Sequence, residues 1–287
     1  MKTITAIAAN KLGNFLTRDF RRIFGSTCDD MAERIGSAAR STIECLARSD
    51  ALYHNYEHTL QVAMVGRDIL HGMMVHERIE PADYSHLIVA CLLHDIGYVR
   101  GALSGDTETE FVIDAEGTKI VLPRGASDAA LAPYHVDRSK IFVFERFEKS
   151  PIIDPARVAA AIEITRFPVP EDREEAAGLE PKLVQAADFI GQLGDPLYSR
   201  KANALYWEFE EIGTNRQLGY SSPADIVERY PAFLGQRLDA PRRRDKISEH
   251  DGFRPAMDRK PAPSYPVCGA RAAADGSAGL VLTMRNR

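Results

Sequence analysis

Cysteine is scarce in this chain of 287 residues: Cys28, Cys45, Cys91 and Cys268 lie far apart and form no CxxC pair. That spacing excludes the dense disulfide framework of a small secreted domain, and the expectation is reduced thiols in a cytoplasm. Long apolar runs are also missing, since no segment approaches the roughly 20 apolar residues that cross a bilayer. The short apolar start Ile4–Ala9 is interrupted by Asn10-Lys11 with no small-residue cleavage pattern, so it reads as an amphipathic helix rather than a leader. Net positive charge is absent: the formal charge is −5, made of −10 over residues 1–235 and +5 over 236–287. An acidic body excludes a broad nucleic-acid surface, and Arg242-Arg243-Arg244 is too short to reverse that. No GxGxxG, Walker loop or GxSxG occurs, and the isolated cysteines have no readable histidine partner for thiol catalysis.

What is present is apolar residues at helical spacing, with 45% hydrophobic content to bury. The pattern predicts helices over 29–47, 55–75 and 81–93, with Pro81 in a first turn, and further helices from about 127, then over 154–165, 180–193 and 196–212, with a short one from Ser222-Pro223. Between 101 and 125 the helical rhythm breaks. Phe111–Asp114 and Lys119–Leu122 flank Ala115–Thr118, which predicts a small β-hairpin insertion at about 108–123, either a lid over a pocket or a surface ornament. The fold class expected is all-α, one domain over 1–234. After Leu234 the periodicity stops and five of the 16 prolines follow, the composition of a disordered tail or of a displaced reading frame over 235–287.

Chemistry concentrates in a few polar residues set in apolar surroundings. His94-Asp95 ends the run Leu87–Leu93, and Asp188 sits inside Leu183–Ile190, where an unpaired carboxylate is costly to bury. His54 and His58 are four positions apart, which at the start of a helix puts both on one face. His58, His94, Asp95 and Asp188 together offer two nitrogens and two oxygens, a donor set for one divalent cation with positions left for water and substrate.

Tyr53-His54-Asn55-x-x-His58-x-x-x-Val62, then His94-Asp95, then Ala187-Asp188 in an apolar helix, is similar to the HD superfamily of metal-dependent phosphohydrolases. The wording is closest to its cyclic-nucleotide phosphodiesterase branch. The resemblance covers about residues 50–197 and implies an HD-domain helical bundle in which His58, His94, Asp95 and Asp188 hold manganese, magnesium, iron or zinc. It further implies His54 as general acid and Asp95 as the bridge to a second ion, if one binds. The substrate implied is a small phosphoester, with no nucleic-acid or membrane partner.

Further residues stand nearby in sequence. Tyr98 occupies the stretch after the HD pair where the phosphodiesterases carry another histidine, and Arg166 follows Thr165 where they have Thr-Asp; the arginine either meets a substrate anion or pairs with a carboxylate. His135 is the candidate for an additional metal ligand, with a helix-capping or core role as the alternative. Arg138 and Lys140 suit phosphate capture if they face the site and are otherwise exposed helix charges. His71, His76, His86 and His250 have no partner pattern. Two other function classes fit these residues: an HD-type di-iron oxygenase, for which His135 is required, and a non-catalytic metal- or nucleotide-binding sensor.

Overall fold

The computed structural model describes residues 3–167 and 171–229, which are mostly helical with one small antiparallel sheet. The helices are α1 (Ile4–Phe24), α2 (Asp29–Leu46), α3 (Tyr56–Met73), α4 (Pro81–Leu93), α5 (His135–Phe147), α6 (Pro155–Ile162), α7 (Glu171–Ala176), α8 (Leu179–Leu193), α9 (Tyr198–Glu211) and α10 (Thr214–Leu218), and residues 223–229 are also helical. The expectations for 235–287 lie outside the described residues. None of the helices of the described residues is long and apolar enough to cross a membrane.

α1 is the amphipathic helix the first residues predict, capped by Thr3, whose Oγ1 accepts from the Ala6 N–H at 3.1 Å. It crosses α2 at Gly13 and Gly36, where a Cβ on Gly13 would lie 2.6 Å from the Gly36 carbonyl oxygen, so the backbones meet only because both residues lack side chains. Asp19 pins α1 to the next layer: Arg67 Nη2 at 3.0 Å and His71 Nε2 at 2.8 Å reach it from α3, and Tyr84 Oη at 2.9 Å from α4. Burial opposes charge on Asp19, yet those hydrogen bonds bring its pKa down to about 2. α4 is the hub of the core: every residue from Tyr84 to Leu93 is buried, which is why Leu87–Leu93 reads as an unbroken apolar run.

Two boundaries differ from the sequence pattern in ways that matter to the site. His54 does not stand on α3. Asn55 is the N-cap, its side chain accepting from the Glu57 N–H at 2.9 Å, so His54 precedes the helix and only His58 belongs to it. The helix expected from about 127 begins instead as a 3-10 segment, Asp128–Tyr134, because Pro133 has no N–H to donate; the α-helical hydrogen bonding starts at His135.

The hairpin pairs β1 (Glu110–Val112) with β2 (Lys119–Val121), Phe111 opposite Ile120. It is bolted down by Arg138, which is 0% exposed: Nε donates to Gly97 O at 2.6 Å, Nη2 to Val99 O and Asp106 Oδ2, both at 2.9 Å, and Nη1 to Val112 O. Gly97 is obligatory in this contact, since a Cβ there would lie 2.0 Å from the His135 carbonyl oxygen. Arg138→Ala leaves the buried Asp106 without its counter-ion and is expected to cost about 3–5 kcal/mol, measured as a lower urea midpoint at unchanged slope.

Candidate metal centre

Four elements deliver the polar cluster. α3 contributes His58 from its first turn, α4 is followed directly by its C-cap His94 and then Asp95, α8 presents Asp188 from its middle, and α5 opens with His135. His58 Nε2 lies 3.0 Å from Asp188 Oδ1 and 3.4 Å from Asp95 Oδ2; His94 Nε2 lies 3.0 Å from Asp95 Oδ2 and 3.8 Å from Asp188 Oδ1. His58, His94 and Asp95, all buried, offer ligand atoms within 4.8 Å of one another and could hold a metal ion.

The fit to a cation is more than proximity. His94 Nε2 and Asp95 Oδ2 are buried and make no hydrogen bond, although they face each other. Two buried acceptors facing each other in this way are costly unless something fills the space between. Bonds of about 2.1 Å meeting at roughly 90–109° put neighbouring ligand atoms about 3.0–3.4 Å apart, which is the spacing of the shortest three contacts here. His94 Nδ1–H donates to Cys91 O at 2.9 Å, which leaves the Nε2 lone pair for the cluster. Burial disfavours a charged His94, but Asp95 and Asp188 overcome it and raise its pKa to about 9. Asp95 is held far below the usual carboxylate range against its burial by His94, His54 and His58. The cluster favours positive charge, which a divalent cation could supply.

The cluster opens on a cavity of about 410 Å³. Tyr53, His54, His58, Asp95, Tyr98, His135 and Asp188 form one wall, and Phe167, Leu205, Phe209, Ile212, Leu218 and Ile226 an apolar wall. His54 Nδ1 contacts Glu208 Oε2 at 2.5 Å, and Glu208 Oε1 accepts from the Tyr53 and His54 N–H groups at 2.5 and 3.2 Å. Burial opposes charge on both partners, yet their mutual attraction and hydrogen bonds raise the His54 pKa and lower that of Glu208. Tyr98 is stacked between two imidazoles, 4.5 Å from the His54 centroid and 4.6 Å from that of His135. His135 Nδ1–H donates to Ala132 O at 2.6 Å, and its Nε2 stands 3.8 Å from Asp95 Oδ1, the oxygen turned away from His94. Its pKa is depressed by burial despite Asp95.

The remaining candidates divide. Arg166 lines the cavity but is engaged by Asp137 through Nη1 and Nη2 at 3.1 and 2.8 Å and by Glu163 at 3.3 Å. Lys140 is bound to Glu163 at 2.7 Å, and Arg138 belongs to the hairpin clamp; neither lines the cavity. No residue of 101–125 lines it either, so the hairpin does not cover this opening.

A family model described as Npun_R2479-like matches residues 3–240. The chain belongs to the Npun_R2479-like family. No curated protein and no solved structure matches it. The Npun_R2479-like match takes in every residue of the cluster and of the cavity wall, and it ends close to Leu234, where the helical periodicity of the sequence stops.

Sequence reasoning missed Glu208 in this Npun_R2479-like chain. It is buried on α9 with Ala202 and Leu205, so it stands at i, i+3, i+6 from two core residues. A glutamate continuing an apolar stripe at that spacing was the available signal.

Proposed function

We propose that the chain is a metal-dependent phosphohydrolase of HD type that cleaves a small phosphoester, with His58, His94, Asp95 and Asp188 as the ligands of a divalent cation. The observation that carries this reading is the unbonded pair His94 Nε2 and Asp95 Oδ2, buried against His58 at one end of a substrate-sized cavity. When bound, such an ion polarises a phosphoryl oxygen and acidifies a water. His54 donates a proton from Nε2 to the departing ester oxygen; Glu208 holds the proton on Nδ1, orients the ring and raises its pKa so that the acid form persists near neutrality. Tyr98 keeps that ring upright by stacking on it. The apolar wall around Phe167 and Phe209, whose rings lie 6.3 Å apart at 5°, receives the organic part of the ester.

The test is the full chain, loaded in turn with manganese, magnesium, iron and zinc, against phosphomonoesters, cyclic nucleotides and dinucleotides. The expected result is ion-dependent release of phosphate or of the opened ester in at least one class. Nucleotide-induced rise in melting temperature with no cleavage of any ester contradicts it and establishes a sensor.

A second reading rests on His135. His135 Nε2 lies 3.8 Å from Asp95 Oδ1 and His94 Nε2 3.0 Å from Oδ2, so if two ions bound, Asp95 would be their shared ligand, an arrangement that would also suit a di-iron oxygenase. Oxygen consumption by the iron-loaded chain, lost in His135→Ala, distinguishes it.

A further inference from the structure

α2 and α5 enclose a second cavity of about 320 Å³ on which none of the cluster residues opens. Its rim carries three cations, Arg34 from α2 and Arg146 and Lys149 from the end of α5 and the turn beyond it, with Ser37 and Ser41 of α2 beside them. Its floor is apolar, made by Leu93, Phe142 and Phe147. No acidic residue lines it, and none of the three cations makes a hydrogen bond or ion pair with another described residue. Several other arginines, Arg21, Arg67, Arg100, Arg157 and Arg166, each meet a carboxylate, whereas here three unpaired cations gather around one void. Over residues 1–235 the chain is −10, so three uncompensated positive charges around one void run against its overall balance.

Helix electrostatics account for only part of this. Arg146 in the last turn of α5 complements the negative end of that helix. Arg34 lies in the second turn of α2, toward the positive end, where a cation gains nothing. An anion seated among them would relieve their mutual repulsion, and two guanidinium groups with an ammonium suit a compact dianion better than a single carboxylate. Phe142 and Phe147 then leave an apolar seat below the charged rim, at a volume near the lower end for small-ligand sites.

We propose that this cavity binds an organic phosphate, its phosphoryl group on Arg34, Arg146 and Lys149 and its apolar body against Phe142 and Phe147. The inference is independent of the chemistry assigned to the first cavity. It is tested by calorimetric titration of the full chain with phenyl phosphate, inorganic phosphate and phenol, in the wild type, in the triple variant Arg34→Ser/Arg146→Ser/Lys149→Ser, and in Arg166→Gln. The three rim side chains are exposed, so the triple variant keeps the fold, which circular dichroism verifies; the single variant Lys149→Glu is the parallel check. Phenyl phosphate is expected to bind more tightly than either fragment, about tenfold or more weaker in the triple variant, weaker in Lys149→Glu, and unchanged in Arg166→Gln. Equal affinity in the triple variant, no binding to the wild type, or loss in Arg166→Gln instead would overturn it. Inorganic phosphate binding as tightly as phenyl phosphate removes the apolar seat from the account.

Discussion

His94→Ala is expected to strip the chain of its divalent ion and to lower phosphoester hydrolysis by roughly a thousandfold or more, the several kcal/mol of charge stabilisation that a bound cation contributes at one tenfold per 1.36 kcal/mol. His94 is buried with Nδ1 fixed on Cys91 O, so its Nε2 has no role in holding the fold beyond the cluster it faces. Because alanine also leaves a void, Asp95→Asn is the companion: it keeps the volume and removes the charge that His94, His58 and His135 all face. Elemental analysis and turnover, with circular dichroism as the check on folding, decide the matter. A folded Asp95→Asn protein with full ion content and full rate is incompatible with the proposed centre.

The second large effect is on His54. His54→Ala is expected to retain the ion, because His54 is not among the buried group His58, His94 and Asp95, and to lose about 10²–10⁴ in kcat as the general acid disappears. Glu208→Gln gives the finer result. A general acid works only while protonated, so activity falls as pH rises through its pKa. Glu208 raises that pKa, and removing its charge therefore moves the alkaline limb of the kcat profile to lower pH, with KM little changed. A merely structural glutamate would lower stability and leave the limb where it was. Rescue of the limb by Glu208→Asp is not expected, since the shorter side chain no longer spans from α9 to both the ring and the Tyr53 and His54 N–H groups.

The helices and the cluster were legible because both depend on local pattern. α2, α3, α4, α8 and α9 fall within a few residues of their apolar periodicity, and His94, Asp95 and Asp188 stand out as polar residues inside apolar runs. His54 was not placed in this way: its four-residue spacing from His58 suggested one helical face, whereas the N-cap at Asn55 leaves His54 outside α3. What the sequence hides is pairing across distance. Glu208 meets His54 over a separation of 154 residues, and nothing local to either announces the other. Arg138 looks like an exposed helix charge until Asp106, 32 residues earlier, turns out to share its burial. The loss of Arg166 to Asp137 is of the same kind. Each depends on tertiary arrangement that spacing alone does not carry.

The most direct measurement is anomalous diffraction from crystals of the chain soaked with manganese or zinc, recorded on both sides of the metal's absorption edge. The account predicts one strong peak about 2.0–2.2 Å from His58 Nε2 and His94 Nε2 and in contact with Asp95 Oδ2. No peak at that position in ion-saturated crystals, or peaks only on surface carboxylates, contradicts it.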